Sequence, residues 1–107
     1  MLKPNMTTKF KRDWKKIIKR GHNINELIEI MRKLEKEEVP LPEKYRDHSL
    51  TGNKAGYREC HINPDWLLIY YYHDECNDTY IDENGEEKNY NGGIVFISTG
   101  THSDLKL

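Results

Sequence analysis

The sequence predicts an α+β domain, with two helices first and then a run of strands. Apolar residues recur with helical spacing ahead of Pro40 and alternate in strand fashion after Leu50. Turn residues at Asn63-Pro64-Asp65, Asn84-Gly85 and Asn91-Gly92-Gly93 divide the second half into short segments. Helices grouped ahead of consecutive strands belong on one face of a small, mainly antiparallel sheet. With 107 residues and no repeat or linker, one domain over residues 1–107 is expected.

Leu2 to Met6 suits a short first strand. Thr7 or Thr8 can cap a helix running to about Arg20, with Gly21 as its stop. Phe10, Trp14, Ile17 and Ile18 then share one apolar stripe. A second helix opens at Asn23, and Glu26 stands where a capping box needs it. Ile24, Leu27, Ile28, Met31 and Leu34 form its buried face, while Pro40 and Pro42 block continuation. The short Gly21-His22 link makes the two helices an antiparallel hairpin. From Gly56 to Ile62, Tyr57, Glu59 and His61 point one way, and Arg58, Cys60 and Ile62 the other. Trp66 to His73 is apolar and aromatic enough for a central strand. Asn84-Gly85 signals a two-residue hairpin within an acidic insertion from about His73 to Gly93. Ile94 to Ser98 is the last strand, followed by Thr99-Gly100-Thr101-His102.

Charged residues make up 33% of the chain and hydrophobic ones 36%, so the core must rely on bulky side chains, and aromatic residues reach 10%. No run of about eighteen apolar residues exists to span a membrane, and Met1-Leu2-Lys3-Pro4-Asn5 lacks the apolar stretch of a signal peptide. Cytoplasmic residence, without membrane contact, is the expectation. Cys60 and Cys76 are then expected as free thiols. The net charge of −1 conceals a segregation of charge. Lys3, Lys9, Lys11, Arg12, Lys15, Lys16, Lys19 and Arg20 face the single acid Asp13 over residues 1–22. Asp74, Glu75, Asp78, Asp82, Glu83, Glu86 and Glu87 face Lys88 over residues 74–88. The basic segment suits a polyanion, although for the charge run alone a solvated amphipathic helix is the better account.

The side chains with chemistry cluster at strand ends. His48 lies in the loop Tyr45-Arg46-Asp47-His48, His61 ends a strand with Asp65 just past its turn, and His102 follows the last strand. If those strands are neighbours, the groups converge on the uncovered sheet face. RNA cleavage needs little more: a base for the 2′-hydroxyl, an acid for the leaving 5′-oxygen, and cations for the phosphorane. Histidine serves both proton transfers near neutral pH. Each residue also has a plainer reading. A single histidine on a strand is more often structural, and Asp65 suits an Asx turn. Trp66 and Tyr70-Tyr71-Tyr72 suit core packing, and a zinc site from His48, His61, His73 and the cysteines lacks zinc-finger spacing. Residue patterns alone stop at a basic α+β domain with clustered histidines.

Longer motifs go further. Leu41-Pro42, Tyr45-Arg46-Asp47-His48-Ser49-Leu50 and Gly52 precede Gly56-Tyr57-Arg58-Glu59-Cys60-His61-Ile62-Asn63-Pro64-Asp65-Trp66, then Leu68-Ile69-Tyr70 and Thr99-Gly100-Thr101-His102. In order and spacing this resembles the YafQ branch of the RelE/ParE toxin superfamily over nearly the whole chain, apart from the acidic insertion. The resemblance implies a RelE-like sheet flanked by two helices, with the active site on its concave surface. It implies a toxin of a type II toxin–antitoxin pair that cuts messenger RNA in the ribosomal 30S A site and is neutralised by a cognate antitoxin. The reaction it implies uses no metal or cofactor and leaves a 2′,3′-cyclic phosphate or 3′-phosphate and a 5′-hydroxyl. His48, His61, Asp65 and His102 fall on its catalytic positions, with His102 as general acid. His48 and His61, supported by Asp65, share the base and phosphate-binding roles. Arg46, Lys54, Arg58 and Glu59 are the implied RNA- and phosphate-binding residues.

Two positions depart from that pattern. Relatives place an arginine four residues before the final histidine, where this chain has Ser98. Arg46 is the better substitute, because Arg58 faces away from His61 by strand parity. The C-terminal Leu105-Lys106-Leu107 also lacks the aromatic residue that relatives offer a base, for which Tyr72 or another tyrosine can stand in. The departures leave a second reading: an attenuated family member that acts by binding, through gyrase inhibition or ribosome blocking.

Overall fold

The computed structural model describes residues 1–105, and the part of the C-terminal comparison that falls on Lys106-Leu107 lies outside them. Strand β1 (Lys3–Met6) leads into helices α1 (Thr8–Lys19) and α2 (Ile24–Glu35). Strands β2 (His48–Ser49), β3 (Arg58–Asn63) and β4 (Trp66–His73) follow, each preceded or joined by short turns. A small hairpin, β5 (Thr79–Ile81) and β6 (Glu87–Asn89), precedes β7 (Gly93–Gly100), and a single helical turn, α3 (His102–Leu105), follows it. The main sheet has the order β1-β7-β4-β3-β2, and only the β1–β7 pairing is parallel. The central strand is β4, as its unbroken apolar run requires.

Thr7 caps α1 by accepting from the Phe10 N–H at 3.0 Å, and Asn23 caps α2 by accepting from Asn25. Phe10 and Ile17 of α1 and Leu27, Ile30, Met31 and Leu34 of α2 pack over Cys60, Ile62, Trp66, Leu68, Tyr70, Ile94 and Phe96. These are alternate residues of β3, β4 and β7, so one sheet face is covered by helices. Ile18, expected in the apolar stripe, is 52% exposed, and Asp13 is buried in its place. The Asp13 carboxylate accepts from the Thr99 N–H and from Lys9, which compensates its burial. Leu67 and Ile69 point to the other face, where they form a small cluster with Leu105, Leu50 and Ile97 and no helix layer among the described residues covers them. That open face is the floor of the site.

The acidic insertion is a two-stranded sheet of its own. Its turn is larger than the expected two-residue Asn84-Gly85 loop. Gly85 N–H donates to the Asp82 carbonyl, and the Asp82 carboxylate accepts from the Asn84 and Glu86 N–H groups. Gly85, at φ 78°, then closes a turn with one left-handed residue. Asp78 pairs with Lys3, and Asn91 N–H donates to the Met1 carbonyl, so the hairpin is rooted at the β1 end of the sheet. Gly93 begins β7 there and Gly100 ends it at the histidines. At about 3.3 Å per residue, that strand separates the two by roughly 23 Å.

Candidate active site

Strand register explains how three distant stretches of chain converge. His61 pairs with Leu67 on one side of β4, and Gly100 pairs with Leu67 on the other. His61 and the end of β7 are therefore level across the central strand. Two residues later α3 begins with His102, and Leu105 at its end packs on Leu67 and Ile69 over the open face. On the far side of β3, His48 pairs with Glu59, which places its side chain on the same face as His61. His48 was expected in a loop, but it lies in the two-residue edge strand β2. The His48 and His61 ring centroids are 6.4 Å apart, and those of His61 and His102 are 5.8 Å apart.

Each ring has a distinct partner. His48 Nδ1 donates to the Arg46 carbonyl at 2.6 Å; because a carbonyl only accepts, Nε2 of the neutral ring is left as the acceptor. Arg46 adopts φ 48°, the left-handed turn that brings this carbonyl round. His102 Nδ1 donates to Asp65 Oδ1 at 3.0 Å, and the His102 backbone N–H reaches the same oxygen at 3.4 Å. These contacts, the ring first, hold the exposed Asp65 carboxyl below the usual carboxylate range. Asp65 thus serves His102, whereas the expectation had it supporting His48 and His61. The carboxylate beside His61 is Glu59, 7% exposed, whose Oε1 lies 3.3 Å from Nε2. Glu59 was expected among the phosphate-binding residues; its contact is with the imidazole.

Arg58 is placed as parity dictates and not as a phosphate ligand. Its guanidinium lies 3.3 Å from Asp47 and donates to Ser49 Oγ, on the side away from His61. The Tyr70 hydroxyl donates to the same Asp47 at 2.5 Å, and burial followed by that carboxylate drives its pKa far up. This Asp47 group anchors the strand edge that carries His48. Arg46 is exposed, and Lys54 is half-exposed in the turn Gly52–Lys54. Ser98, 4% exposed, pairs with Ile69 on β4 and brings no cation. Tyr72 keeps company with Leu2 and Leu34 on the helix side, so it is no stacking platform here. Tyr57 and Tyr71 instead stack on the open face, with centroids 5.6 Å apart. The zinc set is dispersed, since Cys60 is buried on the helix side with its thiol pKa pushed up by that burial.

Beside α3 lies a cleft of about 310 Å³ lined by Lys9, Arg12, Lys16, Arg20, Thr99 and Asp104. Arg20 and Thr101 hold the Asp104 carboxyl far below the ordinary carboxylate range. A depressed folded-state pKa gives stability that is present above the unfolded value and lost as pH falls towards the folded one. Asp104→Asn is therefore expected to cost about 1 kcal/mol above pH ~5, discounted for solvent. The difference in urea midpoint from the parent should shrink steadily from pH ~4 to ~2. A constant difference would exclude ionisation as its source.

Comparison with known proteins agrees with this architecture. The family model described as "Bacterial toxin of type II toxin-antitoxin system, YafQ" matches residues 2–107. The chain belongs to the YafQ toxin family. It is 40% identical over 96 residues to the mRNA interferase toxin YafQ of Escherichia coli K12, covering 90% of this chain and 86% of that protein. The crystal structure of YafQ from E. coli BL21(DE3) superposes with a TM-score of 0.78 at 30% identity, covering 98% of each chain. YafQ in the E. coli DinJ–YafQ complex superposes with a TM-score of 0.75 at 31% identity, again over 98% of each chain. Two helices on a mainly antiparallel sheet are thus the YafQ fold.

Proposed function

We propose that this YafQ-family chain is an endoribonuclease that cuts messenger RNA on the ribosome, in the cytoplasm, and that a cognate antitoxin neutralises it. The observation that carries the reading is the trio of imidazoles on one open face, two of them with their Nδ1 atoms fixed by acceptors. His48 Nε2 takes the 2′-hydroxyl proton as O2′ attacks phosphorus. The P–O5′ bond breaks, and His102 Nε2 gives its proton to the departing oxygen. A 2′,3′-cyclic phosphate and a 5′-hydroxyl result. Asp65 supplies the negative charge that complements an imidazolium before it donates. His61 has both other rings as neighbours, so it is the group to contact the phosphoryl oxygens. Arg46 and Lys54 flank the same face and add positive charge.

Mapping message ends by primer extension after expression tests this. Growth arrest with in-frame cuts is expected, abolished by co-expressed antitoxin, with cleavage in vitro unaffected by EDTA. Arrest without cuts would reject cleavage. Loss on chelation that zinc restores would reject the metal-free reaction. One feature favours the second reading, an attenuated binder. Ser98 leaves the sheet centre without the arginine of relatives, and one such contact contributes about 3 kcal/mol to a transition state.

A further inference from the structure

The helix that carries His102 is four residues long, too short to be stable by itself. Its ring is nevertheless held 3.0 Å from Asp65. Leu105 pins the far end of α3 on Leu67 and Ile69. The near end is pinned by Asp104. The Thr101 N–H donates to Asp104 Oδ2 at 2.9 Å, and the Asp104 N–H donates back to Thr101 Oγ1 at 3.1 Å. Both Asp104 oxygens are also gripped by Arg20 at the end of α1, Nη1 to Oδ2 at 2.5 Å and Nη2 to Oδ1 at 3.0 Å. This two-point fork fixes the orientation of the carboxylate as well as its position, which a lysine ammonium does not. A third side is closed by Gly100, where a Cβ would meet the Asp104 Cβ and Oδ2 at 2.9 Å. The carboxylate therefore occupies space that any other residue at position 100 would fill.

We propose that Arg20 is a positioning residue for His102: through Asp104 it locks α3, and with it the His102 ring, against the sheet. The guanidinium of Arg20 is engaged by Asp104 and not by the His102 ring. It acts by removing the freedom of a one-turn helix that its own hydrogen bonds do not hold. The proposal rests on the reading of His102 as the general acid, and the test separates the two.

Cleavage of a defined message on programmed ribosomes is measured with the whole toxin and its variants. Arg20→Ala is expected to lower kcat about 10- to 100-fold, the scale of a misplaced catalytic group, with KM changed less than about twofold. Arg20→Lys keeps the charge without the fork and should recover only part of the loss. Lys36→Ala removes a like charge from the exposed end of α2 and should leave kcat unchanged. In an Asp104→Ala background, Arg20→Ala should have no further effect. A rise in KM that multiplies with the Asp104→Ala effect would mean that Arg20 touches RNA, and would overturn the proposal. An unchanged kcat in folded Arg20→Ala would overturn it equally. Should Arg20→Ala not fold, Asp104→Asn, which keeps the shape of the side chain, is read instead: lowered kcat supports the lock and parental kcat rejects it. Full activity in His102→Ala would reject the acid assignment itself, whatever Arg20 does.

Discussion

His102→Ala is expected to lower cleavage by about 10²- to 10⁴-fold, the range that one positioned proton donor contributes. The loss should fall on kcat, because the ring meets the leaving oxygen only as the P–O bond breaks. The fold should survive: His102 is half-exposed at the start of a surface turn, and Leu105 still anchors that turn. Asp65→Asn should cost less, since it removes the charge beside the ring while leaving an acceptor for Nδ1. His48→Ala should lower the same rate, because its free Nε2 receives the 2′-hydroxyl proton. Single-turnover cleavage is the measurement. Retention of more than a tenth of the parental rate in His102→Ala would remove the acid from the mechanism.

The second large effect is on stability. Trp66→Ala should cost about 3–5 kcal/mol in urea unfolding, as large aromatic truncations in cores do. Trp66 is 1% exposed, its indole N–H donates to Thr99 Oγ1 at 2.9 Å, and the His22 ring lies 4.9 Å away. Thr99 passes the bond on to the Leu67 carbonyl at 2.7 Å. Truncation therefore opens a cavity and also removes the donor to the buried Thr99 hydroxyl, which keeps only its own bond to Leu67. Because small domains are stable by only about 5–15 kcal/mol, the variant should be marginal at 37 °C. Trp66→Phe keeps most of the volume and should cost roughly 1–2 kcal/mol, mainly the lost hydrogen bond. Equal costs for the two substitutions would show that the hydrogen bond, and not the packing, dominates.

The helices, the central strand and the face shared by Glu59 and His61 were legible in the chain because each rests on local periodicity. Convergence of His48, His61 and His102 was legible only as a condition. It depends on β7 and β3 flanking β4, which no local pattern states. The α3 turn was not legible. Its supports are Arg20, 84 residues away in sequence from Asp104, and Leu105 packed across the sheet. The partner of Asp65 differs from the expectation for a related reason: the resemblance set it behind His48 and His61, while the folding back of α3 brings His102 to it instead. Ile18 and Asp13 exchanged places because the Thr99 N–H, buried beside α1, needs an acceptor. Helical periodicity has no knowledge of that demand. Arg58 was legible in direction but not in purpose, since Asp47 is what claims it.

Opposite charges at the two ends of β7 give the molecule a property that its net charge of −1 hides. The cations of α1 sit beside Gly100 and the acids of the hairpin are rooted at Gly93. A body so polarised feels little overall pull from a nucleic acid, yet it feels a torque once within about 8 Å, the screening distance in physiological salt. Encounter is thereby biased towards one pole. The histidine end turns to the strand while the hairpin is swung outward, so selection acts on how the protein lands more than on how fast it arrives.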